Sequence, residues 1–243
     1  VSQDGIRAFP RVKSGVPGFD EMVDGGFHKG TVNTIAGPSG TGKTIFASQF
    51  IYSGTMAGEK GMIVTPSESS AVLKREMASS FGWDFTDLER KGLLHIVDVT
   101  DPVLRLQKSI DVDPVEFLIN FRKLIERKLQ DEKPVRIFID DLMAFFSAVE
   151  SPFKSRSLAD DLFGVIRNSG ITATITLGTA FGMNQILEYG ADSATILNRD
   201  RIGNVMIRSI YIMKMRGSRI ANTIRILDIS DDGMSVSTLS PYP

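Results

Sequence analysis

Within this 243-residue chain the clearest chemistry sits in Gly37, Pro38, Ser39, Gly40, Thr41, Gly42, Lys43 and Thr44, which match the pattern G-x-x-x-x-G-K-[ST]. That pattern implies capture of a polyphosphate. Glycines let the backbone curl until several N–H groups converge on one point. The start of the following helix adds roughly half a positive charge at the same place. Lys43 is then positioned to reach the β- and γ-phosphates of a nucleotide, with ATP expected, and the Thr44 hydroxyl to enter the shell of a magnesium ion (Mg2+). Ile45 completes the expected binding segment. The alternative, a glycine-rich turn that only caps a helix, fits poorly with an apolar strand before the motif and a helix after it.

A magnesium partner is expected at the end of another buried strand. Val135 to Ile139 followed by Asp140-Asp141 fits, because an apolar strand ending in a carboxylate delivers its charge to the edge where open α/β sheets bind ligands. Asp140 is the expected metal-shell residue, directly or through water. Read alone, the pair could instead open a turn or cap the next helix. Hydrolysis also needs a group to orient or deprotonate the attacking water. Glu68, just past Met62 to Thr65, is the candidate, and a glutamate that merely opens a helix within Ser67-Glu68-Ser69-Ser70 is an equally weighted reading.

The elements that must position these groups can be read from periodicity. Strands are expected at Val32 to Ala36, Met62 to Thr65, Leu94 to Val99, Arg136 to Ile139 and Ile171 to Leu177. An amphipathic helix is expected from Ile45 to near Gly58, and another from near Ser157 to Gly170. The clearest helix follows Asp113, an N-cap with Pro114 behind it and Glu116 completing a capping pattern. Leu118, Phe121, Leu124, Ile125 and Leu129 then share one face. Strands alternating with helices define an α/β protein with a mainly parallel, twisted sheet flanked by helices.

From Ser193 onward the pattern changes to Ala194 to Leu197, Val205 to Met213, Thr223 to Ile229 and Met234 to Val236, separated by Gly203-Asn204, Gly217-Ser218 and Asp231-Asp232-Gly233. Antiparallel strands that extend the same sheet explain this more simply than a second domain. A single domain over residues 1–243, with its core at about 14–238, is expected.

Composition narrows the chemistry further. The chain has no cysteine, so thiol nucleophiles, disulfides and cysteine-ligated metals are excluded, and two histidines make a histidine-rich metal centre a poor reading. Twenty-eight basic against twenty-nine acidic side chains give no global field for nucleic acid. The uncharged run from Asn168 to Leu187 contains glycines, threonines, Asn184 and Gln185, poor material for a hydrocarbon core, so no membrane segment is expected. Asp4 and Arg7 interrupt the start of the chain, no signal-peptide core is evident, and a cytoplasmic protein is expected.

Three further segments carry a family resemblance. Ser14-Gly15-Val16-Pro17-Gly18-Phe19-Asp20, followed by Gly25-Gly26 and Gly30, resembles the entry segment of RecA-like P-loop ATPases of the KaiC and RadA branch. Lys214-Met215-Arg216-Gly217-Ser218 resembles the K-[LM]-R-G-[ST] signature of the KaiC side, and Asp228 to Met234 is similar to its closing turn and strand. The resemblance covers about Ser14 to Ser237. It implies a single RecA-type core, assembly into a homo-oligomeric ring (commonly a hexamer) with nucleotide between neighbours, and Lys214 and Arg216 reaching the γ-phosphate of the adjacent subunit. Without the resemblance, Lys214 and Arg216 are alternate residues on an exposed strand face.

Two positions depart from that family pattern. Ser67-Glu68 stands where a Glu-Glu pair is usual, which questions the activating role of the first glutamate. Glu188-Tyr189 stands where the clock proteins carry phosphorylatable residues, so autokinase activity there is not supported. Three functions follow as alternatives: a magnesium-dependent ring ATPase, an ATP-dependent DNA-binding protein of the recombinase type, and a nucleotide-gated signalling switch with little hydrolysis. The segments matching the recombinase DNA loops are weakly basic: 150–157 carries only Lys154 and Arg156, and 178–192 has no basic residue, so DNA is not favoured. Arg199, Arg201, Arg208, Arg216 and Arg219 read as an ordinary solvated face.

Overall fold

Short runs rich in Ile, Val and Thr leave no polar face for solvent, and in the computed structural model they form the buried centre of a sheet. The structure describes residues 9–100, 113–179, 182 and 184–242. In chain order these form β1 (Arg11–Val12), α1 (Phe19–Met22), β2 (Phe27–His28), β3 (Val32–Gly37), α2 (Lys43–Met56), β4 (Gly61–Thr65), α3 (Ser70–Phe81), α4 (Phe85–Arg90) and β5 (Leu94–Asp98). They continue with α5 (Pro114–Glu132), β6 (Arg136–Ile139), α6 (Met143–Ser147), α7 (Pro152–Asn168), β7 (Thr172–Gly178), α8 (Asn184–Gly190), β8 (Ser193–Ile202), β9 (Val205–Met215), β10 (Arg225–Ser230) and β11 (Gly233–Val236).

Nine strands make one sheet in the order β11-β10-β9-β8-β3-β7-β6-β4-β5. From β8 to β5 the pairs are parallel, and from β8 to β11 they are antiparallel, so the closing strands do continue the same sheet. Gly203-Asn204 joins β8 to β9, with Gly203 in the left-handed region that such two-residue turns require. One apolar cluster packs α5 and α7 on one face of the sheet, and a second packs α2 and the entry segment on the other. No helix among the described residues is long and apolar enough to cross a membrane.

Asp113 caps α5 as expected, its carboxylate accepting from Val115 N at 2.8 Å. The next long helix starts earlier than expected. It begins at Pro152 rather than near Ser157, because Ser151 accepts from Lys154 N and Pro152 takes the first turn. That is the same cap-then-proline signal that locates α5. Helix α2 is also not amphipathic: Phe46, Ala47, Ser48, Gln49, Phe50 and Ile51 are consecutive and all buried, since the sheet covers one side and the entry segment and β11 cover the other. Arg225, not Thr223, opens β10, and β8 and β9 both run longer than their apolar stretches.

Two buried polar side chains tie the entry segment to this central helix. The Gln49 amide donates to Gly15 O at 2.8 Å and Met234 O at 3.0 Å, and accepts from Met234 N at 2.7 Å. Arg136, paired with Glu59, donates to Lys13 O at 2.8 Å and Phe50 O at 2.9 Å. Gln49 is 6% exposed, so a residue that cannot hydrogen-bond would strand three backbone groups away from water. Gln49→Leu is expected to destabilise the fold by about 2–4 kcal/mol. Urea unfolding would check this; a loss below about 1 kcal/mol would show that the clamp contributes little.

Candidate functional site

The glycine-rich loop leaves the C-terminal end of β3 and runs straight into α2. Gly42 occupies the N-cap of α2 at φ 102°, a backbone conformation that L side chains rarely adopt, beneath Met234 and Ile229 of the β10–β11 hairpin. The first helical bond of α2 runs from Phe46 N to Gly42 O, which leaves the N–H groups of Lys43, Thr44 and Ile45 without an intrahelical acceptor. The Lys43 ammonium folds over the loop and donates to Pro38 O at 3.0 Å, while Thr41 Oγ1 ties the loop to itself through the same carbonyl at 2.9 Å. Burial pulls the Lys43 pKa down, with Asp141 and Asp140 opposing. The resulting cleft, about 260 Å³, is lined by Ser39, Gly40, Gly42, Lys43, Thr44, Ile45, Arg208 and Ile229.

The carboxylate expected beside this loop is there. Thr44 Oγ1 donates to Asp140 Oδ2 at 2.9 Å, and the Thr176 hydroxyl donates to Asp140 Oδ1. Because β6 and β7 are parallel neighbours close to β3, their ends deliver Asp140, Thr176 and Gly178 to the same edge as the loop. Asp141 turns the other way, accepting from Met143 N at 2.9 Å and Gly178 N at 3.1 Å, and so fixes the turn after β6. The two members of the acidic pair therefore face different ways: Asp141 fixes the turn and Asp140 meets the loop threonine. Burial pushes the Asp140 carboxyl up against the two hydroxyl donors that pull it down, and burial likewise raises Asp141.

The donor set suits magnesium that arrives with a nucleotide. One hydroxyl and one carboxylate already touch, while no group of three or more acidic or histidine side chains able to hold an ion by itself occurs among the described residues. Magnesium usually takes one or two carboxylates plus substrate phosphates and water. Glu68 stands on the bend between β4 and α3, outside the helix. Burial raises its pKa first, then Glu76 and Asp140, so it is a stronger proton acceptor than a solvated glutamate and lies within the field of Asp140.

Lys214 and Arg216 are not brought to the loop. Met215 pairs with Ser193, and Ser193 in turn with Asn33 at the start of β3, so both cations lie at the sheet edge opposite the loop. The six residues of β3, at about 3.3 Å rise each, put about 16 Å of strand between that edge and the loop. Lys214 Nζ donates to Tyr189 O at 3.0 Å and Ala191 O at 2.7 Å; Arg216 Nη2 donates to Tyr189 O at 3.2 Å. A larger hollow of about 430 Å³, between Tyr189, Tyr211 and Lys214, adjoins them and contains none of the loop residues.

Sequence reasoning missed Arg208, Arg199 and Ile229 at the loop. Arg208 Nε approaches Gly40 O at 3.4 Å, and Arg199 is its direct cross-strand partner. Neither arginine has a carboxylate within ion-pair distance among the described residues, so this wall of the cleft adds uncompensated positive charge. The two-residue turn at Gly203-Asn204 fixes the Arg199–Arg208 register and was a usable signal; the approach to Gly40 was not.

A parallel sheet with a phosphate-type loop after one strand and a carboxylate after another is the architecture of P-loop ATPases. Residues 12–240 match the KaiC ATPase family model, and the chain belongs to that family. It is 31% identical over 233 residues to a UPF0273 protein of Pyrococcus horikoshii, with 93% of each chain covered. It is 34% identical over 221 residues to the circadian clock protein KaiC3 of Synechocystis sp., covering 88% of this chain but 42% of that one. A crystal structure of a KaiC-like protein from Pyrococcus horikoshii superposes with a TM-score of 0.80 at 33% identity, covering 95% of this chain and 100% of the other.

Replacing either of two loop-edge residues separates binding from stability. Lys43→Ala and Asp140→Asn are each expected to weaken magnesium–nucleotide binding by about 10- to 100-fold, the scale of one lost charge-assisted contact. Asp140→Asn should also raise the melting temperature of the ligand-free protein, by about 2–4 °C per kcal/mol gained, because it removes a buried charge while keeping a partner for both threonines. Calorimetric titration and thermal melts check both, and unchanged affinity in either variant would sink the phosphate and metal assignments.

Proposed function

We propose that this chain binds ATP with magnesium at the glycine-rich loop and hydrolyses it as a ring-shaped oligomer, working as one domain with a core at about 14–238. Lys43 and the free N–H groups of Lys43, Thr44 and Ile45 hold the phosphates; Thr44 and Asp140 hold the metal. Bound magnesium would neutralise charge on the β- and γ-phosphates. Glu68 orients or deprotonates the attacking water, helped by its raised pKa. The observation that carries the oligomer is the separation of the two basic groups: Arg216 is about 16 Å and Lys214 about 10 Å of strand from the start of their own loop, with Lys214 Nζ turned toward Ala191 O, so each reaches a phosphate in a neighbouring subunit and not its own. Nucleotide then sits at the subunit interface, and hydrolysis depends on assembly.

A recombinase reading loses support in the segments that should act as DNA loops. Residues 152–157 lie in α7 and 184–190 form α8, and Arg156 is already engaged by Asp160 at 3.8 Å and stacked on Tyr189 at 4.5 Å. One observation favours a nucleotide-held switch with little turnover, namely Ser67 in place of the first glutamate of the pair that Glu68 completes. Steady-state ATP hydrolysis, run beside size-exclusion chromatography with light scattering and with or without single-stranded DNA, discriminates among the three. Turnover that rises with assembly and ignores DNA is expected. Arg216→Ala should lower it by about 10³-fold or more at unchanged melting temperature, the scale of an arginine acting in trans, and Glu68→Gln should abolish what remains. Full activity in assembled Arg216→Ala would end the cross-subunit role.

A further inference from the structure

One carboxylate outside the loop chemistry gathers an unusual number of contacts. Asp192 immediately precedes β8, and its backbone N–H donates to Val32 O at 2.8 Å while its carbonyl accepts from Arg216 N at 3.0 Å. Its Oδ2 accepts from Val32 N and from Arg167 Nε, both at 2.9 Å, and its Oδ1 lies 3.6 Å from Arg216 Nη1. Arg167 Nη2 continues to Gly190 O at 2.6 Å. The last carbonyls of α8 and the residue after it are thus capped by Arg167, Lys214 and Arg216, with Asp192 at the centre.

We propose that Asp192 is a positioning residue for Arg216, holding the guanidinium at the angle from which it meets the γ-phosphate of a neighbouring subunit. The inference rests on the cross-subunit reading of Arg216. The Arg216 side chain is 58% exposed and Asp192 18% exposed, and an ion pair that open adds little to stability, so stability does not account for it. What the pair supplies is direction. Asp192 is itself fixed by Val32, the first residue of β3, and by Arg167 on α7, so its carboxylate is an anchor built on the rigid sheet rather than another mobile surface group. Without the charge, the Arg216 guanidinium keeps, among the described residues, one bond, to Tyr189 O. Arg167, Lys214 and Arg216 outnumber Asp192 and Glu188 here, so the anchor does not cancel the attraction for an incoming phosphate.

Asp192→Asn keeps the size of the side chain and an oxygen for Val32 N, but loses the charge that holds the guanidinium. In the assembled full chain it is expected to lower kcat by about 10- to 100-fold, the scale of an approximately 1 Å misplacement, with KM and melting temperature near wild type. The Asp192→Asn/Arg216→Ala double variant should be no slower than Arg216→Ala alone. Co-expressing Asp192→Asn with Lys43→Ala should recover turnover, because the second variant offers an intact Arg216 to the loop of the first. If Asp192→Asn does not fold, Asp192→Glu, which keeps the charge but displaces it, takes its place with the same expected loss of kcat. Wild-type kcat in Asp192→Asn, or losses that add to those of Arg216→Ala, would overturn the positioning role and leave the cross-subunit reading standing. Full turnover in Arg216→Ala itself, or no recovery on co-expression, would overturn both.

Discussion

Strand direction is the constraint on which the rest depends. Because β3, β4, β6 and β7 are parallel, everything that follows them leaves at one edge, so the glycine loop, Glu68, Asp140 and Thr176 gather there without any long-range search by individual side chains. The antiparallel return of β9 then does two things along one strand. Near its start it delivers Arg208 to the loop, and at its end it delivers Lys214 to the opposite edge. A single β-strand therefore reaches both edges of the sheet, and its register against β8 sets both placements.

The loop edge is held in a state that favours a ligand. Asp140 and Asp141 carry carboxyls raised by burial, and Lys43 an ammonium lowered by it, so each group is less comfortable charged than it would be in water. Lys43 occupies itself with Pro38 O, and Thr44 with Asp140, contacts that a phosphate and a divalent cation can replace. Rigidity comes from elsewhere. Gln49 and Arg136 lock α2 to the entry segment, and Gln49 also to Met234, leaving the helix N-terminus little freedom to relax away from its orphan N–H groups.

What was legible in the sequence is chemistry that is local along the chain. The loop, its strand and helix, and Asp140 after an apolar run could be read because a few consecutive residues contain the whole signal. The start of α7 was equally local, since Ser151-Pro152 repeats the signal of Asp113-Pro114, and was hidden only by the polar character of the first turn. The burial of α2 on nearly every side could not be read, because its periodicity is erased once the entry segment covers the outward face. Arg208 and Asp192 were invisible for a different reason. Their meaning lies in which strand edge they reach, a property of sheet order, and the order β8-β3-β7 places residues distant in sequence side by side.

Sheet order also bears on why the basic pair cannot serve its own loop. To bring Lys214 to the loop edge of the same subunit, β9 would have to slide by about five residues against β8. A slide of that size would part Ile210 and Ile212 from Leu197 and Thr195, the residues they face across the ladder. The two-residue turn at Gly203-Asn204 forbids the slip as well, since it fixes Ile202 opposite Val205. The distance between the cations and the loop is thus built into the register that makes the sheet stable. Under the proposed reading, dependence on a neighbouring subunit is a consequence of how the core packs, and no rearrangement of loops within one chain could remove it.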